Sequence, residues 1–389
     1  MRAPITRSSA HHSQGTSDLA HPLDNGHSRA SEIPPELSLQ RVWRSLLAFG
    51  VVVVVVGVLV VVGPGLGSVR RHIAHANGGW LAAAIAMEVL SALSYVVIFR
   101  AVFCPRMRWR LSYRFGLAEQ AANSVLSMSG AGGLALGAWA LHRAGMSTGH
   151  IGRRTVAFFL LTSLANVWTL ILFAVLFALG VFEYERNPIT YGFAGAGAAV
   201  SAIVVLGLAR LKDSKPSGNS PKSRWAKLKA AAVFSRNSLG EGVRDALRLM
   251  RERPVGVFGG SMGLMAFDIA VLGFAFKAFG HSPPVGVLVV AYLIGQLAGS
   301  IPLPGGIGAL DAGLIGVLVL YHQPLAASAA AVLIYHAIAL WIPGLLGSVA
   351  FLFLRRTLER HGQPAAICMP LAETKERQPS RPRRAKSES

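Results

Sequence analysis

Acidic residues are scarce in this chain. It has 18 Asp and Glu against 38 Lys and Arg in 389 residues, a formal net charge of +20 at pH 7. Charge of either sign is thin: 14% of residues are charged, where a soluble domain carries about 25%. That shortage, with 52% hydrophobic residues, excludes an ordinary soluble domain. Cysteine is almost absent. Cys104 and Cys368, each with basic residues nearby, cannot build a disulfide framework or a zinc spacing. No metal site and no cofactor are expected.

What the chain has instead is long apolar runs. Several exceed about 18 residues, enough to cross hydrocarbon. The reading is an all-α polytopic membrane protein. Residues 1–40 are polar and lack an apolar period, which predicts a disordered cytoplasmic tail. Histidines 11, 12, 21 and 27 in it are expected to be solvated rather than metal-bound. The run Leu46–Val62 follows Arg41 and Arg44. It is read as a retained helix rather than a signal peptide, because the region before it is long and no small-residue cleavage site is evident. Further spans are expected at about 79–99, 155–179, 189–208, 255–278 and 326–354, six full spans in all. The boundaries that follow are 41–210 for the first membrane unit and its linking span, and 211–253 for a basic cytoplasmic linker. The second unit continues over 254–355, and 356–389 form a basic disordered tail. Within the linker, 225–250 carries apolar residues at helical intervals: Trp225, Leu228, Val233, Leu239, Val243, Leu247 and Met250. Two readings stay open there, an amphipathic helix on the membrane surface and a soluble cap packed on the spans.

Two apolar regions, 111–141 and 285–320, are broken in the middle. The second contains Pro302-Leu-Pro304-Gly305-Gly306-Ile-Gly308-Ala-Leu-Asp311, with a carboxylate one turn past the break. Two prolines and three glycines cannot sustain an uninterrupted helix. In lipid such backbone is tolerated only where protein covers it or where it lines a wet cavity. A re-entrant pair of half-helices near mid-depth fits, as transporters build their sites; a plain Pro-Gly kink is the competing reading. The first region breaks at Ser127-Met-Ser-Gly-Ala-Gly132-Gly133. Offset by 173 residues, the first break falls on the second, and spans 79–99 and 155–179 fall on predicted spans. That is the pattern of an inverted repeat with a site between the two breaks. Eight or more membrane elements result.

The charge has a direction. If the N-terminus is inside and both broken regions are hairpins, 34 of the 38 Lys and Arg lie on one side. Positive residues mark the cytoplasmic side, so both termini are expected in the cytoplasm and the protein in the cytoplasmic (inner) membrane. The basic face then attracts anionic lipid headgroups, and no nucleic-acid partner is needed. Charged groups inside hydrocarbon cost about 2.5–3.5 kcal/mol each, which singles out Asp311 and Glu119 as candidate site residues. Glu88 and Asp268, on unbroken spans, are expected to be interhelical hydrogen-bond partners.

The Pro302–Asp311 motif, followed by Leu333-Ile-Tyr335-His336 and Trp341-Ile-Pro343-Gly344-Leu-Leu-Gly347, resembles the lysylphosphatidylglycerol synthase membrane-domain family. The first break through His142-Arg143-Ala-Gly145-Met-Ser147 is similar to that family's matching motif. The likeness covers about 40–355. Asp311 stands where the family usually has glutamate, and His336 where it has arginine. The first motif lacks the proline and the acid–arginine pairing of relatives. With 35 residues after Leu354, no aminoacyl-transferase domain and no enzyme activity are expected. The resemblance implies a flippase-like lipid translocator, a stand-alone member of the family. Substrate-binding residues would be Gly132, Gly133, Pro304, Gly305, Gly306, Gly308, Asp311, Glu119 and His336. Membrane lipids, anionic phospholipid among them, are the expected partners, and a homo-oligomer is allowed for. The alternative is a non-catalytic membrane subunit that anchors a lipid- or glycan-modifying enzyme.

Overall fold

A computed structural model describes residues 74–126, 132–143, 146–181, 239–299 and 307–360, with parts of 191–207. The Leu46–Val62 run, the linker before residue 239, the tip containing Pro304, Gly305 and Gly306, and both tails lie outside the described residues. Nine helices carry the description: α1 Gly78–Phe103, α2 Trp109–Leu126, α3 Gly132–Arg143, α4 Thr148–Ala178, α5 over 239–252, α6 Pro254–Ala278, α7 Val285–Gly299, α8 Ile307–Leu320 and α9 Leu325–Arg360. A short π-helical turn, Ile203–Gly207, lies at the end of the span expected at 189–208. No strand occurs among the described residues. Among the described residues four helices, α1, α4, α6 and most of α9, are long and apolar enough to cross a membrane.

Local sequence sets these limits. Asn77 caps α1, its side chain accepting from Gly79 and Trp80 N–H at 2.9 and 3.3 Å. Ser147 caps α4, and Pro254 opens α6, where its missing N–H leaves nothing unsatisfied. At the far ends of α4 and α6 the chain turns through Gly180 (φ 72°) and Gly280 (φ 74°). The N–H of the next residue bonds five residues back, Val181 to Leu176 and His281 to Phe276, as helix ends closed by a left-handed glycine do. His322 (φ 60°) does the same work after α8 without being glycine.

Helices α1 and α6 form the most extensive pair and run antiparallel. Asn77 N–H donates to Ala278 C=O at 2.8 Å, and at mid-length Ser91 Oγ donates to Leu264 C=O at 3.3 Å. The two backbones approach so closely that a Cβ on Gly260 would lie 2.7 Å from the Ile98 nitrogen. The order long, short, short, long occurs twice, in α1–α4 and again in α6–α9. The short helices α7 and α8 have 15 and 14 residues, about 22 and 21 Å at 1.5 Å per residue. Each is shorter than the ~30 Å of bilayer hydrocarbon. They pack together, with a Cβ on Gly295 falling 2.7 Å from Leu314 Cγ and one on Gly313 2.9 Å from Ala298 Cβ.

The two ends of the bundle differ. At one end lie Met107, Met146, Ile151, Ala246, Leu249, Val257 and Leu354, buried in one cluster that gathers the basic loops. Arg100 donates to Met107 C=O at 2.9 Å and lies 4.3 Å over the Trp109 ring. At the other end Lys277 sits 4.8 Å over Trp80. Trp80 and Arg100 are twenty residues apart on one helix, about 30 Å, so the two aromatic–cation pairs bracket one hydrocarbon thickness. Cys104 is buried near the basic end.

Helix α5 packs on the spans: Val243, Ala246 and Leu249 are buried, and Arg153 and Arg154 of α4 reach Glu241 (3.0 Å) and Asp245 (3.6 Å). The stripe expected to be apolar is therefore not the buried one throughout. Leu239 and Leu247 are exposed, because the two arginine contacts turn the 243–246–249 face inward.

Candidate functional site

Asp268 is the lone acid of the 25-residue helix α6. Its Oδ2 accepts from the Tyr292 hydroxyl of α7 at 2.6 Å and from the Tyr335 hydroxyl of α9 at 3.0 Å. One carboxylate thus ties three helices. Glu88 of α1 adjoins Asp268 and is buried, and its Oε2 has no partner among the described residues. Isolated charge in an apolar interior is costly, so such groups gather where they can bond one another.

Next along α9, His336 faces α8. Its Nδ1 lies 2.6 Å from Asp311 Oδ1, both side chains half-buried. The two atoms do not meet the geometry of a hydrogen bond, so this is a close polar contact. The His336 ring stands edge-on to Tyr335 with centroids 5.2 Å apart. Asp311, His336, Tyr335, Asp268 and Tyr292 therefore form a continuous polar track across α8, α9, α6 and α7.

A cavity of about 500 Å³ opens beside this track. Tyr95, Gln120, Thr162, Asn166, Ser261, Asp268, Tyr292 and Gln296 line it, with Leu264, Met265 and Leu340. The lining comes from α1, α2, α4, α6, α7 and α9, both halves of the bundle. Eight of these eleven residues are polar, in helices that are otherwise apolar. Such a chamber can hold a polar group of headgroup size inside the membrane part of the protein. Among the described residues no group of three or more His, Cys, Asp or Glu is disposed to hold a metal ion.

The residues expected from sequence fall as follows. Asp311 and His336 come together. Gly132 and Gly133 open α3, and Gly308 lies in the first turn of α8. Pro304, Gly305 and Gly306 lie outside the described residues. Glu119 is buried against α3, where a Cβ on Gly137 would come 2.8 Å from its Oε1, and it does not line the cavity. Its neighbour Gln120 does. Asp268 bonds across helices as expected, yet it also lines the cavity. Sequence reasoning did not assign Tyr95, Thr162, Ser261, Tyr292 and Tyr335 to the site. For Tyr335 a signal existed: it immediately precedes His336 in the motif.

The family model described as the lysylphosphatidylglycerol synthase TM region matches residues 45–347. A "UPF0104 membrane protein" of Methanothermobacter thermautotrophicus is 27% identical over 158 residues, 39% of this chain and 42% of that protein. The chain thus aligns with less than half the length of that relative. No solved structure matches.

Proposed function

The chain belongs to the lysylphosphatidylglycerol synthase transmembrane-region family, and from that premise we propose that it is a lipid translocator, not an enzyme. A lipid would place its polar headgroup in the central cavity while its tails stay in the bilayer. The observation that carries this reading is the cavity of about 500 Å³, with eight polar side chains among its lining residues and walls from both halves of an apolar bundle. The antiparallel packing of α1 on α6 and the recurrence of helix lengths at an offset of 173 favour an inverted repeat. The short α7–α8 and α2–α3 pairs would be re-entrant hairpins, their helix starts at Ile307 and Gly132 offering free N–H groups to a phosphate.

The gathering of basic loops at one end supports an orientation with that end, and both termini, in the cytoplasm. Anionic phospholipid of the inner leaflet would face it. The test is headgroup movement in vesicles holding the purified protein, supplied with the lipids that co-purify, identified by mass spectrometry. Movement above protein-free vesicles is expected. A folded protein that moves none of them would leave the rival, a membrane subunit that anchors a lipid- or glycan-modifying enzyme.

A further inference from the structure

The cavity lining has a chemistry of its own. Of the eight polar residues among its described lining one is an acid, Asp268, and seven are neutral hydroxyl or amide side chains; none of them is Lys, Arg or His. Asp268 is held in place by two tyrosyl hydroxyls on one oxygen. Ser261 is buried on the cavity wall, and its hydroxyl has no partner among the described residues.

A lining of hydroxyls and amides presents donors and acceptors side by side. A ligand must answer both or leave buried groups unpaired, which is unfavourable. An ammonium group only donates, so it would satisfy Asp268 and the carbonyl oxygens but not the amide N–H groups. A phosphate only accepts, so it would leave the oxygens of Asp268, Asn166 and Gln296 without a donor, and no Lys or Arg is among the described lining residues to balance its charge. A ring of hydroxyls donates and accepts at every oxygen, matching the mixed wall and the unpartnered Ser261.

We propose that the cavity takes a neutral polyhydroxyl headgroup, a hexose or a cyclitol, with Asp268, Asn166, Gln296 and Ser261 among its hydrogen-bonding groups. This rests on the translocator reading and names its substrate class. A phosphate linking such a ring to the lipid would lie outside the cavity. The shared chemistry therefore covers a glycosyl diacylglycerol and a phosphatidylinositol alike.

The experiment uses the full chain in phosphatidylcholine vesicles, each with a trace of one lipid fluorescent on its acyl tail. The lipids are monoglucosyl diacylglycerol, phosphatidylinositol and phosphatidylethanolamine, with loss of signal to an impermeant reductant giving the rate of movement. At least one polyhydroxyl lipid should move about tenfold faster than phosphatidylethanolamine. Glucosyl lipid alone would mean that a phosphate linkage is refused, and phosphatidylinositol alone that it is required. In Asn166→Leu and Gln296→Leu the ratio of polyhydroxyl lipid to phosphatidylethanolamine should fall at least threefold, a change that a packing role would not produce. Equal rates, or faster movement of phosphatidylethanolamine, would overturn the inference and leave the translocator standing. No movement of any lipid would bring down both.

Discussion

The two four-helix halves share an order of elements but not a chemistry. At an offset of 173, α1–α4 map onto α6–α9. Asp268 then corresponds to Tyr95, Tyr292 to Glu119, Tyr335 to Thr162, Asp311 to Ala138 and His336 to Ser163. The second half holds the bonded acid, the two tyrosines that fix it and the Asp311–His336 contact. The first half gives the cavity neutral groups, Tyr95, Gln120, Thr162 and Asn166, with Glu119 turned away under Gly137. Among the described residues, then, only the second half gives the cavity wall an acid. Packing is uneven too. Helix α2 lies tight along α9, whereas the corresponding pair, α7 and α4, touches far less. The cavity has walls from α4 and α7, on that looser side.

The largest effect is expected where this unevenness is set. A Cβ at Gly347 of α9 would fall on the Leu117 carbonyl oxygen and the Ala121 methyl of α2. Overpacking usually costs about 1–3 kcal/mol, and more where backbone must move. Gly347→Leu should lose monodispersity in detergent. The corresponding change in the first half, Ala174→Leu, should be milder because a Cβ already fits there. Equal damage from both would mean that the two interfaces are equally tight.

Next is Asp311→Asn, nearly isosteric, which removes charge from the contact with His336. The variant is expected to stay monodisperse while headgroup movement falls about tenfold or more, ~1.4 kcal/mol or greater. Asp311→Glu should keep part of the activity. Ala138→Asn, at the matching position of the first half, should matter less. A folded and fully active Asp311→Asn protein would remove the charge role.

Smaller effects belong to helix α5. The Arg153–Glu241 pair is about one-third exposed on each side, and partly exposed pairs contribute about 0–1 kcal/mol. A double-mutant cycle with Arg153→Met and Glu241→Gln should return a coupling in that range, shrinking in high salt. Smallest is the exposed Arg248–Glu252 pair, 2.6 Å apart. The hydrogen bond to Arg248 lowers the Glu252 carboxyl below its ordinary range. A lowered carboxylate stabilises the fold above its unfolded pKa, and that contribution disappears as pH falls through the folded value. Thermal melts of Glu252→Gln should therefore differ from the parent at neutral pH and converge with it in acid.

Much of the scaffold was legible in sequence because apolar length and breakers report it directly. The spans expected at 79–99, 155–179, 255–278 and 326–354 lie within α1, α4, α6 and α9, give or take a residue. The second break, Pro302–Gly306, falls between α7 and α8, and the first, Ser127–Gly133, runs from beyond the end of α2 into the first turn of α3. The site was less legible. A single acid in an apolar helix looks the same in sequence whether it bonds a neighbour or lines a chamber, and Asp268 does both. Tyr292 and Tyr335 are 43 residues apart in the chain, and only the packing of α7 and α9 on α6 brings their hydroxyls to one oxygen. Glu119 carried the same cost argument as Asp311, but its rotation on α2 turns it toward Gly137.

The most direct measurement compares the two matching positions at the centre, Asp268 and Tyr95. Headgroup movement is recorded in vesicles for Asp268→Asn and Tyr95→Phe, each first checked as monodisperse. If the second half carries the chemistry, Asp268→Asn should lower the rate at least tenfold and Tyr95→Phe by no more than about threefold, ~0.7 kcal/mol. A folded Asp268→Asn protein with the parent's rate, or a Tyr95→Phe loss as large as that of Asp268→Asn, would contradict the account.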